Sequence, residues 1–420
     1  MQELNLGVAD ISYNYGFIYG DMDDDAGIYN HRGITYSQKN DQLQAIASFN
    51  KAIQLKDDVA EAYNNRGIAY AITDEINSAI EDFSTAIKLN PRYAQAYSNR
   101  GLAYFSKGNI DRAIEDCNKA IELDRDCALA YNNRGIAYLS KDMTDSAVED
   151  WTTAINLDPN YALAYNNRGA GYFSKGNVEH AIADYSKAIK LDPDYAEAYN
   201  HRGSAYGAKG ELDEAFADFR KSIELKPNNA GAYYNLGKAH DIKGELDLAL
   251  ESYDKAIELN PNYTEAYNNR GVVYKNKGEV DKAIEDYSTA IGLKSDNAVA
   301  YNNRGVVYKD KGEIDKAIAD YSAAIERDPN YSEAYNNRGV AYSAKGEVKL
   351  AIENYTKAIE LKSNFANAYY NRGGAFLRLG EREKANSDLA TARNLESDAI
   401  IALDKIMRDY NYAWKTLGNL

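Results

Sequence analysis

The stretch that decides the fold is residues 298–331, AVAYNNRGVVYKDKGEIDKAIADYSAAIERDPNY. Ten more copies of this pattern occur in the chain, each 34 residues from the next, without insertion or deletion. The glycine of the Tyr-x-x-Arg-Gly string, which has Leu236 in place of Arg in one copy, marks each repeat: Gly33, Gly67, Gly101, Gly135, Gly169, Gly203, Gly237, Gly271, Gly305, Gly339 and Gly373. With that glycine as position eight, eleven repeats occupy residues 26–399. A fixed period of this length predicts an array whose units pack only on their neighbours.

Each repeat predicts two amphipathic helices. In the third repeat, Ile110, Ala113 and Cys117 stand three or four residues apart, as on one face of a helix. Position fifteen holds glycine in eight repeats and Asn40, Asp74 or Asp142 in the others. These residue types tolerate the left-handed conformation that ends a helix, so we expect a turn there. Position eight is always Gly and position twenty always Ala, which predicts closely packed helices.

Tyrosine is abundant, with 37 residues, and 30 of them fall at positions four, eleven, twenty-four and thirty-four. An aromatic stripe at helical spacing predicts core packing. All six prolines stand at position thirty-two, just past the second helix, where proline is compatible with a helix end.

This pattern resembles the tetratricopeptide repeat, with its aromatic residue at four, Gly at eight, Tyr at eleven, Ala at twenty and Pro at thirty-two. The resemblance implies an all-α fold, a right-handed α-solenoid of helix-turn-helix repeats over residues 26–399. We expect a C-terminal capping helix at 400–420, where Leu403, Ile406, Met407 and Tyr410 continue the first-helix register, and an N-terminal cap or half-repeat at 1–25.

One departure from the family concerns position seven, which is Arg in ten repeats where the family usually has Leu. A guanidinium near a helix interface is costly unless it is paired. Position twenty-three is Asp in eight of those ten repeats, which predicts Arg–Asp pairs within each repeat. The expected pairs are Arg66–Asp82, Arg100–Asp116, Arg134–Asp150, Arg168–Asp184, Arg202–Asp218, Arg270–Asp286, Arg304–Asp320 and Arg372–Asp388.

The charge and motif content limit the function classes. A net charge of -15 disfavours nucleic acid and anionic membranes as partners. No phosphate loop, dinucleotide motif, metal cluster or nucleophile motif is evident, so we expect no enzyme activity and no cofactor. Cys117 and Cys127 are expected to be reduced core thiols. The sequence shows neither a signal segment nor a membrane span, which indicates a cytoplasmic protein.

The family resemblance implies that the first helices line a concave face through positions two, five, six, nine, twelve and thirteen. Position six is Asn in nine repeats: Asn65, Asn99, Asn133, Asn167, Asn235, Asn269, Asn303, Asn337 and Asn371. A carboxamide offers the donors and acceptor that a peptide bond requires. The pattern is similar to the asparagine ladder of O-linked N-acetylglucosamine transferase, and we expect these residues to hold a peptide backbone. The alternative is that they support neighbouring loops.

In repeats 3 to 5 the same face carries large apolar residues at positions two and twelve: Phe105, Leu129, Leu139, Leu163 and Phe173. Ile68, Leu102 and Ile136 at position nine extend this strip. An exposed apolar strip would mark an interaction site, whereas buried side chains would simply fill the space between repeats.

The sequence therefore predicts a protein-binding scaffold that holds an extended or helical polypeptide segment. The alternative is a structural subunit that uses its convex face or ends, with the groove empty. The lysines of a carboxylate clamp are missing from positions two and five, which disfavours chaperone tails as ligands. A homo-oligomer remains open.

Overall fold

The computed structural model describes residues 24–395. Every repeat contributes a first and a second helix. In chain order these are α1 (Asp25–Gln38), α2 (Gln42–Leu55), α3 (Ala60–Ile72), α4 (Ile76–Leu89), α5 (Ala94–Ser106), α6 (Ile110–Leu123), α7 (Ala128–Ser140), α8 (Thr144–Leu157), α9 (Ala162–Ser174), α10 (Val178–Leu191), α11 (Ala196–Lys209), α12 (Leu212–Leu225), α13 (Ala230–Lys243), α14 (Leu246–Leu259), α15 (Thr264–Asn276), α16 (Val280–Leu293), α17 (Ala298–Asp310), α18 (Ile314–Arg327), α19 (Ser332–Ala344), α20 (Val348–Leu361), α21 (Ala366–Arg378) and α22, which is helical from 382 to 395.

Residues 24–395 contain no strand, and the prediction of an all-α fold of paired helices is confirmed. The capping helix expected at 400–420 lies outside the described residues, as does nearly all of the N-terminal segment 1–25. Asp24 caps α1 by accepting a hydrogen bond from the backbone N–H of Gly27 at 2.7 Å.

The turn between the two helices of each repeat has the backbone conformation that position fifteen predicted. All eleven residues at that position have positive φ. Asn40, Asp74 and Asp142 lie at 61°, 63° and 59°, and the eight glycines lie between 75° and 84°. The substitution of Asn or Asp for Gly is therefore explained by one backbone requirement, which these residue types meet.

The glycine at position eight marks a close approach between the two helices of a repeat. A Cβ added to Gly305 would lie 2.8 Å from Cε1 of Tyr321 and 3.3 Å from the carbonyl oxygen of Ala317. Tyr321 is fully buried at position twenty-four. The ring of the second helix therefore packs directly on the backbone of the first, which only glycine allows without displacement.

The backbone contacts divide the chain into two compact units, Met1–Asn235 and Leu236–Leu420. Among the described residues, unit 1 holds repeats 1 to 6 and unit 2 holds repeats 8 to 11. The boundary falls inside α13, in repeat 7.

All eight expected Arg–Asp pairs are present, with nitrogen–oxygen separations of 2.6 to 2.8 Å. In repeat 9, Nε and Nη2 of Arg304 each donate to one carboxylate oxygen of Asp320, both at 2.8 Å. Its Nη1 donates to Oγ of Ser288, on the second helix of repeat 8, at 2.9 Å. The guanidinium also lies over the rings of Tyr301 and Tyr308. One arginine therefore joins three helices, and the sequence had predicted only the contact within the repeat.

The guanidinium and carboxylate groups of the Arg–Asp pairs are partly buried, and this burial affects their pKa values. The hydrogen bond to Asp184 raises the pKa of Arg168 above its usual range, against the opposing effect of burial. Burial raises the pKa of Asp82, and the bonds from Arg66 only partly oppose this. In repeat 10 the carboxylate is absent, and Arg338 donates instead to Oδ1 of Asn354 at 2.8 Å. Because the loss of hydration offsets much of the attraction in a buried ion pair, we expect these pairs to add little net stability.

Candidate polypeptide-binding face

The position-six amides of unit 1 face the preceding repeat. Nδ2 of Asn65 donates to Oδ1 of Asn30 at 3.0 Å, and Nδ2 of Asn99 donates to Oδ1 of Asn64 at 2.9 Å. In each case the acceptor stands at position five of the repeat before. The bonds therefore connect first helix to first helix along the array.

The same connection continues through the next two repeats. Nδ2 of Asn133 donates to Oγ of Ser98 at 3.1 Å, and Nδ2 of Asn167 donates to Oδ1 of Asn132 at 2.9 Å. At position six of repeat 6, where His201 replaces Asn, Nδ1 lies 2.9 Å from Oδ1 of Asn166. Burial lowers the pKa of His201, so the neutral ring is favoured here.

Burial corrects the expectation that all nine amides are open to a peptide. Asn65, Asn99, Asn133 and Asn167 are only 0 to 3% exposed. A carboxamide so covered has no surface to offer a ligand, and its hydrogen bonds already serve the neighbouring repeat. For these four residues the alternative, internal support, describes the structure better.

The position-six amides of unit 2 differ in accessibility. Asn269, Asn303, Asn337 and Asn371 are half-buried, as is Asn235 at the end of unit 1. These side chains retain surface that the four buried amides of unit 1 lack.

Their hydrogen bonds follow the same rule as in unit 1. Nδ2 of Asn303, Asn337 and Asn371 donates to the position-five amides Asn268, Asn302 and Asn336 at 3.2, 3.0 and 3.0 Å. Asn235 donates to Oδ1 of Asn200 at 3.0 Å and also to Oγ of Ser204 at 3.2 Å, so both of its N–H groups are used. The three unit 2 amides donate only the first kind of bond. Each such bond uses one N–H of a group that can make up to four hydrogen bonds. These amides therefore combine partial exposure with further hydrogen-bonding capacity.

Three apolar residues form a patch at position twelve of consecutive repeats in unit 1. Phe105, Leu139 and Phe173 are all half-buried, so each keeps some surface. Phe105 and Leu139 pack against one core cluster that contains Ile136 and Trp151. We call Phe105, Leu139 and Phe173 the apolar patch.

The rest of the expected strip is divided between surface and core. Leu129 at position two is half-buried. Leu163, at the same position one repeat later, is only 6% exposed and packs with Ala188, Tyr195 and Ala198. The expectation that it lines a binding surface is wrong, because it fills the space between two repeats.

Position nine is likewise part of the core. Ile68, Leu102 and Ile136 are 0 to 3% exposed. Ile68 and Leu102 belong to a single buried cluster with Phe83 of the second helix. These residues lie beneath the apolar patch and do not extend it.

One surface feature went unnoticed in the sequence. Gly207 occupies position twelve of repeat 6, directly after Phe173 in the series, and a Cβ added there would meet no atom within 4 Å. At the other end of the series, Ala71 is small and 3% exposed. The patch is therefore bounded by a small residue on each side, and the space above Gly207 is open.

Reactive groups are scarce in the described part of the chain. Residues 24–395 contain no group of three or more His, Cys, Asp or Glu side chains arranged to hold a metal ion. Cys117 and Cys127 are free and buried. Burial raises the pKa of both thiols, that of Cys127 to about 11. Neither thiol is therefore poised as a nucleophile at neutral pH.

No helix within residues 24–395 combines the length and apolar character needed to cross a membrane.

No curated protein matches the chain. Among solved structures, the APC/C hetero-tetramer Cut9–Hcn1 is 16% identical, with 92% of this chain and 96% of that chain covered and a TM-score of 0.50. A monomeric mutant of IFIT1 with Gppp-AAAA is 14% identical, with 92% and 95% covered and a TM-score of 0.54. At these identities the likeness shows the fold alone. MamA is 35% identical, but over only 38% of this chain and 94% of its own, with a TM-score of 0.35.

Family models account for most of the array. A model described as TPR repeat matches residues 72–108, 171–210, 204–240, 242–278, 274–312, 307–346 and 342–380. Models described as tetratricopeptide repeat match 94–127, 26–59 and 128–161. Together with the paired helices and the left-handed turns, these matches show that the chain belongs to the tetratricopeptide repeat family.

Proposed function

We propose that this chain is a protein-interaction scaffold that binds a segment of a partner polypeptide along its first helices. The observation that carries the proposal is the apolar patch. Phe105, Leu139 and Phe173 recur at one helix position and remain half-buried in the free chain. Large apolar side chains that keep surface on a strongly charged protein favour a protein-binding site.

The half-buried amides of unit 2 support a second, polar contact. Asn303, Asn337 and Asn371 are partly exposed at the same position of three successive repeats. Their carboxamides are suited to the N–H and C=O groups of a partner's main chain. We therefore propose that Asn303, Asn337 and Asn371, and not all nine position-six asparagines, contact the partner's main chain.

Selection of binders tests the proposal. A displayed library of random linear peptides would be enriched on the full chain, and the affinities of the enriched peptides measured by fluorescence anisotropy. We expect two variants, Phe105→Ser/Phe173→Ser and Asn303→Ala/Asn337→Ala, each to weaken a subset of the peptides. The first should weaken its subset by about 30-fold, the equivalent of about 2 kcal/mol.

Leu377→Ser supplies a matched control, because Leu377 stands at position twelve of repeat 11 and is 49% exposed. Peptides that bind the patch of unit 1 should be insensitive to it. If the enriched peptides bind both double variants, Phe105→Ser/Phe173→Ser and Asn303→Ala/Asn337→Ala, as tightly as the parent chain, the proposal is refuted. The structural-subunit alternative would then be favoured, with contacts on the convex face or the ends.

A further inference from the structure

The first helices of unit 2 keep surface at position nine as well as at position six. Val272, Val306 and Val340 are half-buried at position nine of repeats 8 to 10. In unit 1, by contrast, Ile68 and Leu102 are 0% and 1% exposed at that position. Because positions six and nine are three residues apart, they lie on the same side of each helix. Repeats 8 to 10 therefore present an open strip of amide and valine side chains.

Charged residues stand beside this strip. At positions six, nine, twelve and thirteen of repeats 8 to 11, the charged residues are Lys275, Lys309, Asp310 and Arg378. The same positions of repeats 3 to 5 hold no charged residue. On a chain with a net charge of -15, this strip therefore has a local excess of positive charge.

The cations of this strip have few carboxylate partners. Lys275 is exposed and takes part in no ion pair among residues 24–395. Arg378 donates to the carbonyl oxygen and to Oγ of Ser343 at 2.9 and 2.8 Å, and both acceptors are uncharged. Lys309 pairs with Asp310, the next residue of its own helix, at 3.0 Å. Carboxylates of a partner would complement the charge that remains on Lys275 and Arg378.

The amides indicate the conformation of the partner segment. Asn303 and Asn337 each donate one hydrogen bond to the preceding repeat, at 3.2 and 3.0 Å, and a carboxamide can make up to four. An extended segment has N–H and C=O groups that need such partners. The main-chain groups of a helix already bond to one another, so a helix would leave the amides unused.

We infer that the first helices of repeats 8 to 11 bind an extended, acidic segment of a partner protein. The main chain of the segment lies on Asn303 and Asn337, and one of its carboxylates pairs with Lys275. The inference rests on the proposed scaffold function and names the charge and conformation of the segment that unit 2 takes.

Three pools of synthetic peptides, measured by fluorescence anisotropy on the full chain, test this inference. The peptides have about 12 residues, which span about 40 Å when extended. The acidic extended pool alternates Glu with Val or Thr, residues that favour extended chain. The neutral pool has Gln in place of every Glu. The acidic helical pool keeps the number of Glu residues but has Ala and Leu between them, which favour a helix.

We expect the acidic extended pool to bind at least about 5-fold more tightly than either comparison pool. Lys275→Gln should weaken it about 3-fold, the effect of one exposed ion pair. Lys294→Gln is the matched control, because Lys294 is an exposed lysine of the same repeat at position thirty-one, outside the first helices, and its loss should leave the affinity unchanged. Asp310→Asn should tighten binding about 2-fold, because it removes the carboxylate that competes for Lys309.

Asn303→Ala/Asn337→Ala should weaken the acidic extended pool at least about 10-fold, through the loss of main-chain hydrogen bonds. These asparagines also bond to the preceding repeat, so urea unfolding of this variant is measured alongside. Lys275→Gln and Asp310→Asn alter only side chains at the surface, and they test the charge of the partner even if the asparagine variant is less stable.

Equal binding of the neutral pool, an equal effect of Lys275→Gln and Lys294→Gln, or no binding by any pool would overturn the acidic partner. Tighter binding of the acidic helical pool would overturn the extended conformation. The scaffold function stands in each case if linear peptides selected on the chain still respond to Phe105→Ser/Phe173→Ser or Asn303→Ala/Asn337→Ala. Selected peptides that respond to neither double variant refute the scaffold proposal itself.

Discussion

The Arg–Asp pair of repeat 9 gives the sharpest test of what the arginine network contributes. Replacing Asp320 with Ser leaves the Arg304 side chain 18% exposed in place, without its two carboxylate bonds of 2.8 Å. Hydrogen bonds to charged groups contribute about 1.5–3 kcal/mol each. Partial exposure and the surviving bond to Ser288 reduce the loss. We therefore expect Asp320→Ser to lower the free energy of unfolding by about 2–3 kcal/mol.

Repeat 7 lacks the Arg–Asp pair. There Leu236 stands at position seven and Ser252 at position twenty-three, and Oγ of Ser252 donates to the carbonyl oxygen of Leu248 at 2.8 Å. The double variant Arg304→Leu/Asp320→Ser copies this arrangement. Because replacing a buried ion pair with apolar packing is often neutral, we expect it to cost less than about 1 kcal/mol.

The assay is urea unfolding followed by circular dichroism, together with amide hydrogen exchange in α17 and α18. The exchange measurement is needed because a repeat array need not unfold in a single step. Glu326→Ser, on the exposed surface of α18, serves as the control and should change stability by less than about 0.5 kcal/mol. If the single variant is no less stable than the double, the guanidinium does not depend on its carboxylate, and the proposed role of the pair is wrong.

Three further predictions concern glycine and cysteine. Gly305→Ala should lower the free energy of unfolding by about 1 kcal/mol, because the added Cβ would overlap Tyr321 and the cost of overpacking exceeds the gain in helix propensity. Gly207→Ala meets no such overlap and should raise the free energy of unfolding by about 0.5–1 kcal/mol. Urea unfolding distinguishes the two variants. Gly312→Ala should cost about 1–2 kcal/mol, since φ there is 79°, and a lowered urea midpoint would show it. Cys117 and Cys127 should resist alkylation by iodoacetamide at pH 8 in the folded chain, because both thiols are buried and burial raises their pKa. Both should react once the chain is unfolded. Rapid labelling of the native protein, measured by mass spectrometry, would contradict this prediction.

The fold was predictable because its requirements are local and repeated. The left-handed turn at position fifteen excludes most residue types, so the alternation of Gly with Asn40, Asp74 and Asp142 identified it. The Arg–Asp pairs were predictable for a related reason. Both residues change together in repeat 7, where Leu236 and Ser252 replace them, and such coupled change indicates contact.

The binding face was less predictable, because exposure depends on how closely neighbouring repeats approach. Asn65 and Asn303 stand at the same position, and each follows another asparagine. Yet Asn65 is buried, whereas Asn303 is half-buried. The asparagine columns at positions five and six were both visible in the sequence. Their bonding to each other, 35 residues apart, was not inferred, because the period alone does not give the distance between successive first helices.

The apolar patch also shows why one kind of variant cannot separate binding from stability. Phe105 contacts the core cluster of Ile68 and Phe83 and also that of Ile136 and Trp151, so it supports two repeats while keeping some surface. Phe105→Ser should therefore lower the free energy of unfolding by about 1–3 kcal/mol in addition to weakening a partner.

Gly207→Glu adds a side chain at the next position twelve and removes none, so it should weaken the partner. Its unfolding should stay close to that of the parent chain, because the gain in helix propensity over glycine is offset by a negative charge in the last turn of α11. Loss of binding in both variants, with loss of stability in Phe105→Ser alone, is the outcome expected of a patch that is at once core and contact surface. Unchanged stability in Phe105→Ser would mean that the ring contributes little to packing. A Gly207→Glu variant destabilised by more than about 1 kcal/mol would mean that the space at Gly207 is not open, and the edge of the patch would then have to be placed elsewhere.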